Sequence, residues 1–392
     1  MRILQVVPCF YPAWAYGGSV RGAYELSKEL VKKGHQVTVY TTDALAENST
    51  QKRRFLNING IEVHYFKNIS NALAYGHKVF LSPGMLSMVR KEIRRFDIVH
   101  LHDYRTFQNI IIHHYAKKYG IPYVLQVHGT LPRIIAKQLL KKLYDIFWGY
   151  KLLRDADGLI AISKEEINQY KEVDIDNGKL LSLIYPGINV EKFKNLPNYG
   201  QFREKYNVKG KMILYLGRIN RTKGVDFLVE AFSKLAREIG KEVSLVVAGP
   251  DDGDKKRIEK MIERLNLSDK VKFTDYLNEN DKLSAYVDAD LFVHAVRYMG
   301  GVGLTPLEAI LSNTPVIVTE ECGEIIKEAD AGYIVKYGDV ESLKGKMRRV
   351  IENFDEGVKM VERGKRYIEE NLTWDKVAAK AEELYGDCLH HG

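Results

Sequence analysis

The stretch HAVRYMGGVGLTPLEAILSNTPVIV (294–318) carries the reading of the whole chain. An apolar strand end leads through Gly300, Gly301 and Gly303 into helical periodicity from Leu304–Thr305, and then into a second apolar run, TPVIVT (314–319). Strand, tight turn, helix and strand make the unit of a parallel sheet, in which neighbouring strands need a crossover connection. The glycines let backbone N–H groups approach a ligand, and a helix start presents unpaired amides and partial positive charge to it. Glu308 stands one turn inside that helix, either as a solvated first-turn carboxylate or as an acceptor for a ligand's hydroxyl groups.

The same alternation extends in both directions. On the C-terminal side the predicted strands are MILYLG (212–217), VSLVVAG (243–249), VKFTDY (271–276), ADLFVHA (289–295), TPVIVT (314–319) and GYIVK (332–336). An earlier series comprises ILQVV (3–7), QVTVYT (36–41), IEVHYF (61–66), DIVHLH (97–102), PYVLQVH (122–128) and GLIAIS (158–163). Turn formers cluster between the series, at Pro186, Gly187, Asn189, Pro197, Asn198 and Gly200. At 392 residues and 45% hydrophobic content the chain is long enough for two cores. The expected fold class is therefore α/β with two Rossmann-like domains, 1–186 and 187–370, and a final helix, 371–392, returning to the first domain.

Charge and cysteine content narrow the function classes. Residues 1–186 carry 26 Lys+Arg against 16 Asp+Glu, whereas 187–392 carry 33 against 35, so the whole net charge of +8 resides in the first half. Such a face attracts anions. No nucleic-acid-binding motif accompanies it, and nucleic acid is not an expected partner. Cys9, Cys322 and Cys388 are too scattered for a disulfide framework or a thiolate metal site. With no apolar run of membrane-spanning length and no leader-like opening, the expected location is cytoplasmic.

Several loops carry candidate ligand chemistry. Gly17 and Gly18 precede a helix expected from about residue 20, and adjacent glycines at a helix start can cradle an anion or simply form a tight turn. After the strand at 212–217, Arg218 and Lys223 lie five residues apart, suited to gripping a diphosphate through a planar fork and a point charge, or to exposure on a solvated loop. His128 ends a strand where parallel sheets place ligand chemistry, although a lone histidine is more often structural. His100, His102 and Asp103 end another; acceptor contacts by His102 and Asp103, or simple loop polarity, are expected over metal ligation. The segment 132–155 combines Lys137, Lys141, Lys142, Lys151 and Arg154 with Tyr144, Phe147, Trp148 and Tyr150, the composition of a helix lying on an anionic membrane surface or of a packing helix with a wet basic side.

Taken together, the Gly17–Gly18 loop, GHQVTVYTTD (34–43), GRINRTKGVD (217–226), VVAGP (246–250) and GGVGLTPLEA (300–309) resemble the retaining GT-B glycosyltransferases of family 4, typified by glycogen and sucrose-phosphate synthases and bacterial mannosyltransferases. The resemblance covers nearly the whole chain in order. It implies that Arg218 and Lys223 hold the diphosphate of a UDP-, GDP- or ADP-sugar, that Glu308 binds the ribose, that Tyr276 and Leu277 flank the base, and that His128 contacts the transferred sugar near the reacting carbon. Backbone amides of Gly301, Val302, Gly303, Leu304 and Thr305 are expected to serve phosphate and sugar hydroxyls. Gly300 departs from the family, whose pattern has a glutamate there. No metal or other cofactor is expected. The acceptor is expected to be a lipid-linked or polysaccharide glycan, with peripheral membrane contact through the basic half. The alternatives are a nucleotide-sugar 2-epimerase of the same fold and a donor-binding subunit with reduced catalysis.

Overall fold

The computed structural model describes residues 1–133, 137–173, 180–239, 243–298 and 302–391. They divide into two compact units, Met1–Gly187 with Trp374–Gly392, and Ile188–Thr373.

The first unit is built on strands β1 (Arg2–Val6), β2 (Gln36–Thr42), β3 (Ala44–Ala46), β4 (Ser49–Thr50), β5 (Phe55–Ile58), β6 (Ile61–Phe66), β7 (Ile98–His102), β8 (Tyr123–Gln126), β9 (Gly158–Ala161) and β10 (Leu180–Leu183). Eight of them form one sheet in the order β10-β9-β8-β7-β1-β2-β6-β5, while β3 and β4 pair separately. Every pairing in the large sheet is parallel except β5 with β6, an antiparallel hairpin turning at Asn59–Gly60. The central strands are buried on both faces, which explains their continuous apolar runs. The helix Gly18–Lys32 buries Val20, Ala23, Leu26 and Leu30, a three- and four-residue spacing that directs one stripe at the sheet. The helix Trp374–His391 packs on Gly18–Lys32 and on β8, β9 and β10.

The second unit contains β11 (Lys211–Leu216), β12 (Val243–Ala248), β13 (Val271–Thr274), β14 (Leu291–His294), β15 (Val316–Thr319) and β16 (Gly332–Val335), all parallel, in the order β13-β12-β11-β14-β15-β16. Its core forms around the helix Val225–Ile239, which inserts Phe227, Leu228, Ala231, Phe232 and Leu235 against the apolar faces of β11, β12 and β14. Among the described residues no helix is long and apolar enough to cross a membrane.

Two edge strands, β5 and β10, lie outside the predicted series, and β13 stops two residues short of its predicted end at Tyr276. The basic segment 132–155 is a helix Gln138–Tyr144 that continues through a wider π turn, Asp145–Gly149, into Tyr150–Asp155; residues 134–136 lie outside the described residues.

Candidate functional site

In the second unit, β12 lies on one side of β11 and β14 on the other, so the strand order reverses at β11. Open α/β sheets leave a crevice beyond the carboxyl ends of the strands at such a point. Arg218 lies two residues beyond the end of β11, after Gly217, and its carbonyl accepts from the Tyr215 hydroxyl at 2.9 Å. The chain then makes one tight turn, Arg221–Lys223, begun by Asn220, whose side-chain oxygen accepts from the Thr222 N–H. Gly224 closes it at φ 62°, and a Cβ there would stand 1.9 Å from the Ala295 carbonyl. Only glycine permits that approach, which seats Lys223 beside the end of β14.

Lys223 is half-buried, and no acceptor for its ammonium is present among the described residues. Desolvation first, and then the Arg218 guanidinium, hold its pKa below the ordinary lysine value. Burial, together with Lys223, pushes His294 down to about 3, so this ring is neutral beside the ammonium. Arg218 donates to Asp252 at 3.0 Å, with side chains 66% and 42% exposed. An ion pair that exposed contributes about 0–1 kcal/mol, little enough for an incoming diphosphate to displace. Two cations, one desolvated and lacking a counter-ion among the described residues, are thus preorganised for an anion.

The helix Leu304–Leu311 begins nearby in sequence, and no side chain caps it at Gly303. The first-turn amides at Leu304 and Thr305 are therefore of the kind that bind anions. Val302 is partly exposed and Gly303 buried. Gly300 and Gly301 lie outside the described residues. Glu308 accepts from Lys282 at 3.1 Å through Oε1 and from the Tyr286 hydroxyl at 3.0 Å through Oε2. Its carboxylate is thus held in one orientation with a lone pair left on each oxygen. Tyr276 is 77% exposed, whereas Leu277 is buried at 8%. Only the first of this pair offers a free face to a base.

In the first unit, Gly17 takes φ 104° and starts the helix Gly18–Lys32 without a side-chain cap. Nothing lies within 4 Å of a Cβ added at Gly17 or Gly18, so the loop is open. Asp103 and His128 follow the neighbouring strands β7 and β8 by one and two residues, both in the left-handed region, at φ 62° and 51°. The Asp103 N–H donates to the Gln126 carbonyl at 2.9 Å. Two non-glycine residues in this region cost of order 1–3 kcal/mol each, a feature that clusters at functional sites. Burial raises the Asp103 carboxyl to about 7 and lowers His128 to about 4. Behind them Glu166 accepts from the Gly129 and Ile162 N–H groups and is likewise raised to about 7 by burial.

His102 takes a different place from the one expected. It is 1% exposed, with Nδ1 against His128 Nε2 at 2.9 Å and Nε2 against Gln5 Oε1 at 2.6 Å. Both ring nitrogens are engaged, so none is left for an acceptor. Among the described residues no group of three or more His, Cys, Asp or Glu side chains is placed to hold a metal ion.

Two family models match the chain: Glycosyltransferase Family 4 over residues 16–192 and Glycosyl transferases group 1 over residues 200–367. The chain belongs to the GT-B glycosyltransferases of family 4. An uncharacterised glycosyltransferase of Methanocaldococcus jannaschii is 27% identical over 96% of this chain and 95% of its own. N-acetyl-alpha-D-glucosaminyl L-malate synthase of Bacillus anthracis is 24% identical over 99% and 98%. Among solved structures, HepE of Anabaena in complex with UDP superposes with a TM-score of 0.77 at 17% identity, covering 98% of this chain and 99% of that one.

Within this glycosyltransferase, several residues that shape the site were not singled out in the sequence. Asp252 comes from the β12 loop, and its only signal is the acidic run in GPDDGD. Lys282 and Tyr286 reach Glu308 from the helix Glu279–Asp288, at a spacing that reads as ordinary helix polarity. Gln5 is legible as a polar residue inside the apolar run ILQVV.

Proposed function

We propose that the chain transfers a hexose-type sugar, with retention and without a metal ion, from a UDP-, GDP- or ADP-sugar to a hydroxyl of a lipid-linked or polysaccharide glycan. The observation that carries this reading is the Lys223 ammonium beside Arg218, desolvated and without an acceptor among the described residues. The UDP and UDP-glucose held by HepE support a nucleotide-sugar donor. The reported relatives are named as transferases or synthases, so the 2-epimerase alternative is not favoured.

As the bond from the anomeric carbon to the donor phosphate breaks, its electron pair leaves with the diphosphate. Arg218, Lys223 and the amides of Leu304 and Thr305 stabilise that growing charge without reorganising, the usual source of electrostatic catalysis. The acceptor oxygen attacks from the face the phosphate leaves and passes its proton to a departing phosphate oxygen. Glu308 takes the ribose hydroxyls, Tyr276 lies against the base, and the Gly17–Gly18 loop meets the phosphates. His128 contacts the transferred sugar. The test is a screen of nucleotide sugars with chelator present, followed by NMR of the product anomer. Retained configuration with undiminished rate in EDTA is expected; an inverted product or a strict metal requirement overturns the mechanism. Nucleotide binding without any transfer supports instead a donor-binding subunit with reduced catalysis.

The acceptor-side reading includes contact with an anionic membrane. The helix Gln138–Tyr144 buries none of its residues. Leu139 (70%), Leu140 (63%), Ile146 (56%) and Phe147 (64%) are exposed on it and on the π turn that follows. Lys137 joins this segment to the helix Asn71–His77 by donating to the His77 carbonyl, and Leu73, Tyr75 and Val79 are exposed there too. Apolar and aromatic side chains among Lys137, Lys141 and Lys142 suit the boundary between acyl chains and anionic headgroups. The protein is expected to sediment with vesicles containing phosphatidylglycerol but not with pure phosphatidylcholine, and Leu139→Asp with Phe147→Asp should abolish this. Equal sedimentation of the double variant sinks membrane contact through this patch, as does concentration-dependent dimerisation lost in the variant with no vesicle binding by either form.

A further inference from the structure

We propose that Tyr385, Gln5 and His102 form a relay that holds His128 as its Nε2–H tautomer, leaving the Nδ1 lone pair to accept a hydrogen bond from a hydroxyl of the transferred sugar. The sugar contact rests on the function proposed above; the tautomer does not.

The relay runs through four elements of the first unit. Tyr385, fully buried on the helix Trp374–His391, accepts from Gln5 Nε2 at 3.4 Å and shares a proton with His100 Nδ1 at 2.7 Å. Gln5, on β1, turns its oxygen to His102 Nε2 at 2.6 Å, the shorter of its two contacts. An amide oxygen only accepts, so this nitrogen of His102 carries the hydrogen. A neutral imidazole has a single N–H, and Nδ1 of His102 must then accept. Its partner is His128 Nε2 at 2.9 Å, which must donate. In a neutral His128 the remaining nitrogen, Nδ1, therefore has no proton, and no partner for it is found among the described residues.

Neutrality follows from the surroundings. The His100 and His102 rings stack at 4.1 Å between centroids, and those of His102 and His128 at 5.2 Å. A charge on any of the three would be desolvated, and a second would repel the first. The same geometry makes Gln5 the control point. Were its amide reversed, each donor in the chain would become an acceptor, His102 Nδ1–H would point at His128 Nε2, and the proton of His128 would move to Nδ1. The ring would then donate where it now accepts. With its hydroxyl hydrogen directed to His100 Nδ1, Tyr385 has only oxygen lone pairs left for Gln5, and so it opposes that reversal. Gln5, His102 and Tyr385 are positioning residues, since each acts through His128.

Long-range proton–nitrogen NMR of the 15N-histidine-labelled protein reads the tautomer directly. His128 is expected to show an unprotonated-type Nδ1 and a protonated-type Nε2. In Tyr385→Phe the His128 signals should shift toward the other tautomer, and kcat should fall about 10- to 100-fold, the range for partners that orient a functional ring. UDP affinity by calorimetry and the donor KM should stay unchanged, which a general structural defect would not allow. A proton on Nδ1 in the wild-type protein overturns the relay, as does a Tyr385→Phe spectrum identical to wild type. A shifted tautomer with unchanged kcat overturns the sugar contact alone. If the tautomer stands and no nucleotide sugar gives transfer, the proposed function fails while the relay survives.

Discussion

Lys223→Ala is expected to lower turnover by at least about 10²-fold, the usual cost of removing one preorganised group from developing transition-state charge. The same substitution should not destabilise the protein. Lys223 is desolvated, lies beside Arg218 and has no acceptor among the described residues, so its charge adds no ion pair to the folded state there. A melting temperature equal to or above wild type, together with the loss of kcat, would mark a residue kept for function at the expense of stability. The pKa direction supplies an independent check. A lysine held below its ordinary value costs stability while it is charged, and that cost fades as pH rises through the lowered value. A bound diphosphate favours the charged form and moves the value back up. Between the two values, therefore, UDP binding takes up a proton. Calorimetry of UDP binding on the alkaline side of neutrality, in buffers of different ionisation enthalpy, should show this uptake in wild type and none in Lys223→Ala. Wild-type turnover in the variant removes Lys223 from the mechanism; absent proton uptake removes it from the phosphate site.

The alternation of strands and helices was legible because parallel strands buried on both faces read as unbroken apolar runs, as VSLVVAG and TPVIVT do. The hairpin strand β5 escaped because FLNI is short and half-exposed, although the Asn59–Gly60 pair after it is a strong hairpin signal. Arg218, Lys223 and Glu308 could be grouped as candidates from the sequence because a parallel sheet delivers its post-strand loops to one edge. His102 was not. Its role depends on which atoms of β1, β7 and β8 meet, and register across three strands is set by packing rather than by any one segment. Gln5 and Tyr385 stand 380 positions apart and meet only because the last helix belongs to the first unit. Leu277 illustrates the converse limit: position in a motif placed it beside a base, while its apolar side chain is buried.

Glu308→Gln is expected to raise the donor KM and the UDP dissociation constant about 10- to 100-fold, matching the roughly 1.5–3 kcal/mol of a hydrogen bond to a charged group. The effect on kcat should be small, because ribose is held equally in the ground and transition states. Glutamine keeps the shape and one acceptor oxygen, so the substitution separates two roles of this carboxylate. As a purely structural group, Glu308 ties Lys282 to Tyr286 inside the second unit. Losing the charge would then leave the Lys282 ammonium, 14% exposed, with Glu279 at 3.4 Å as its remaining carboxylate partner, and would appear chiefly as a lower melting temperature. As a ribose ligand, Glu308 needs both oxygens free to accept, and the amide –NH2 of glutamine cannot accept at all. Lys282 and Tyr286 orient the carboxylate, and Lys282→Met should therefore lower UDP affinity less than Glu308→Gln while leaving the carboxylate in place. The comparison is decided with a ligand lacking the ribose, inorganic pyrophosphate. Glu308→Gln should bind pyrophosphate as wild type does while binding UDP poorly. Equal losses for both ligands would show that the carboxylate shapes the phosphate loop and does not meet the ribose.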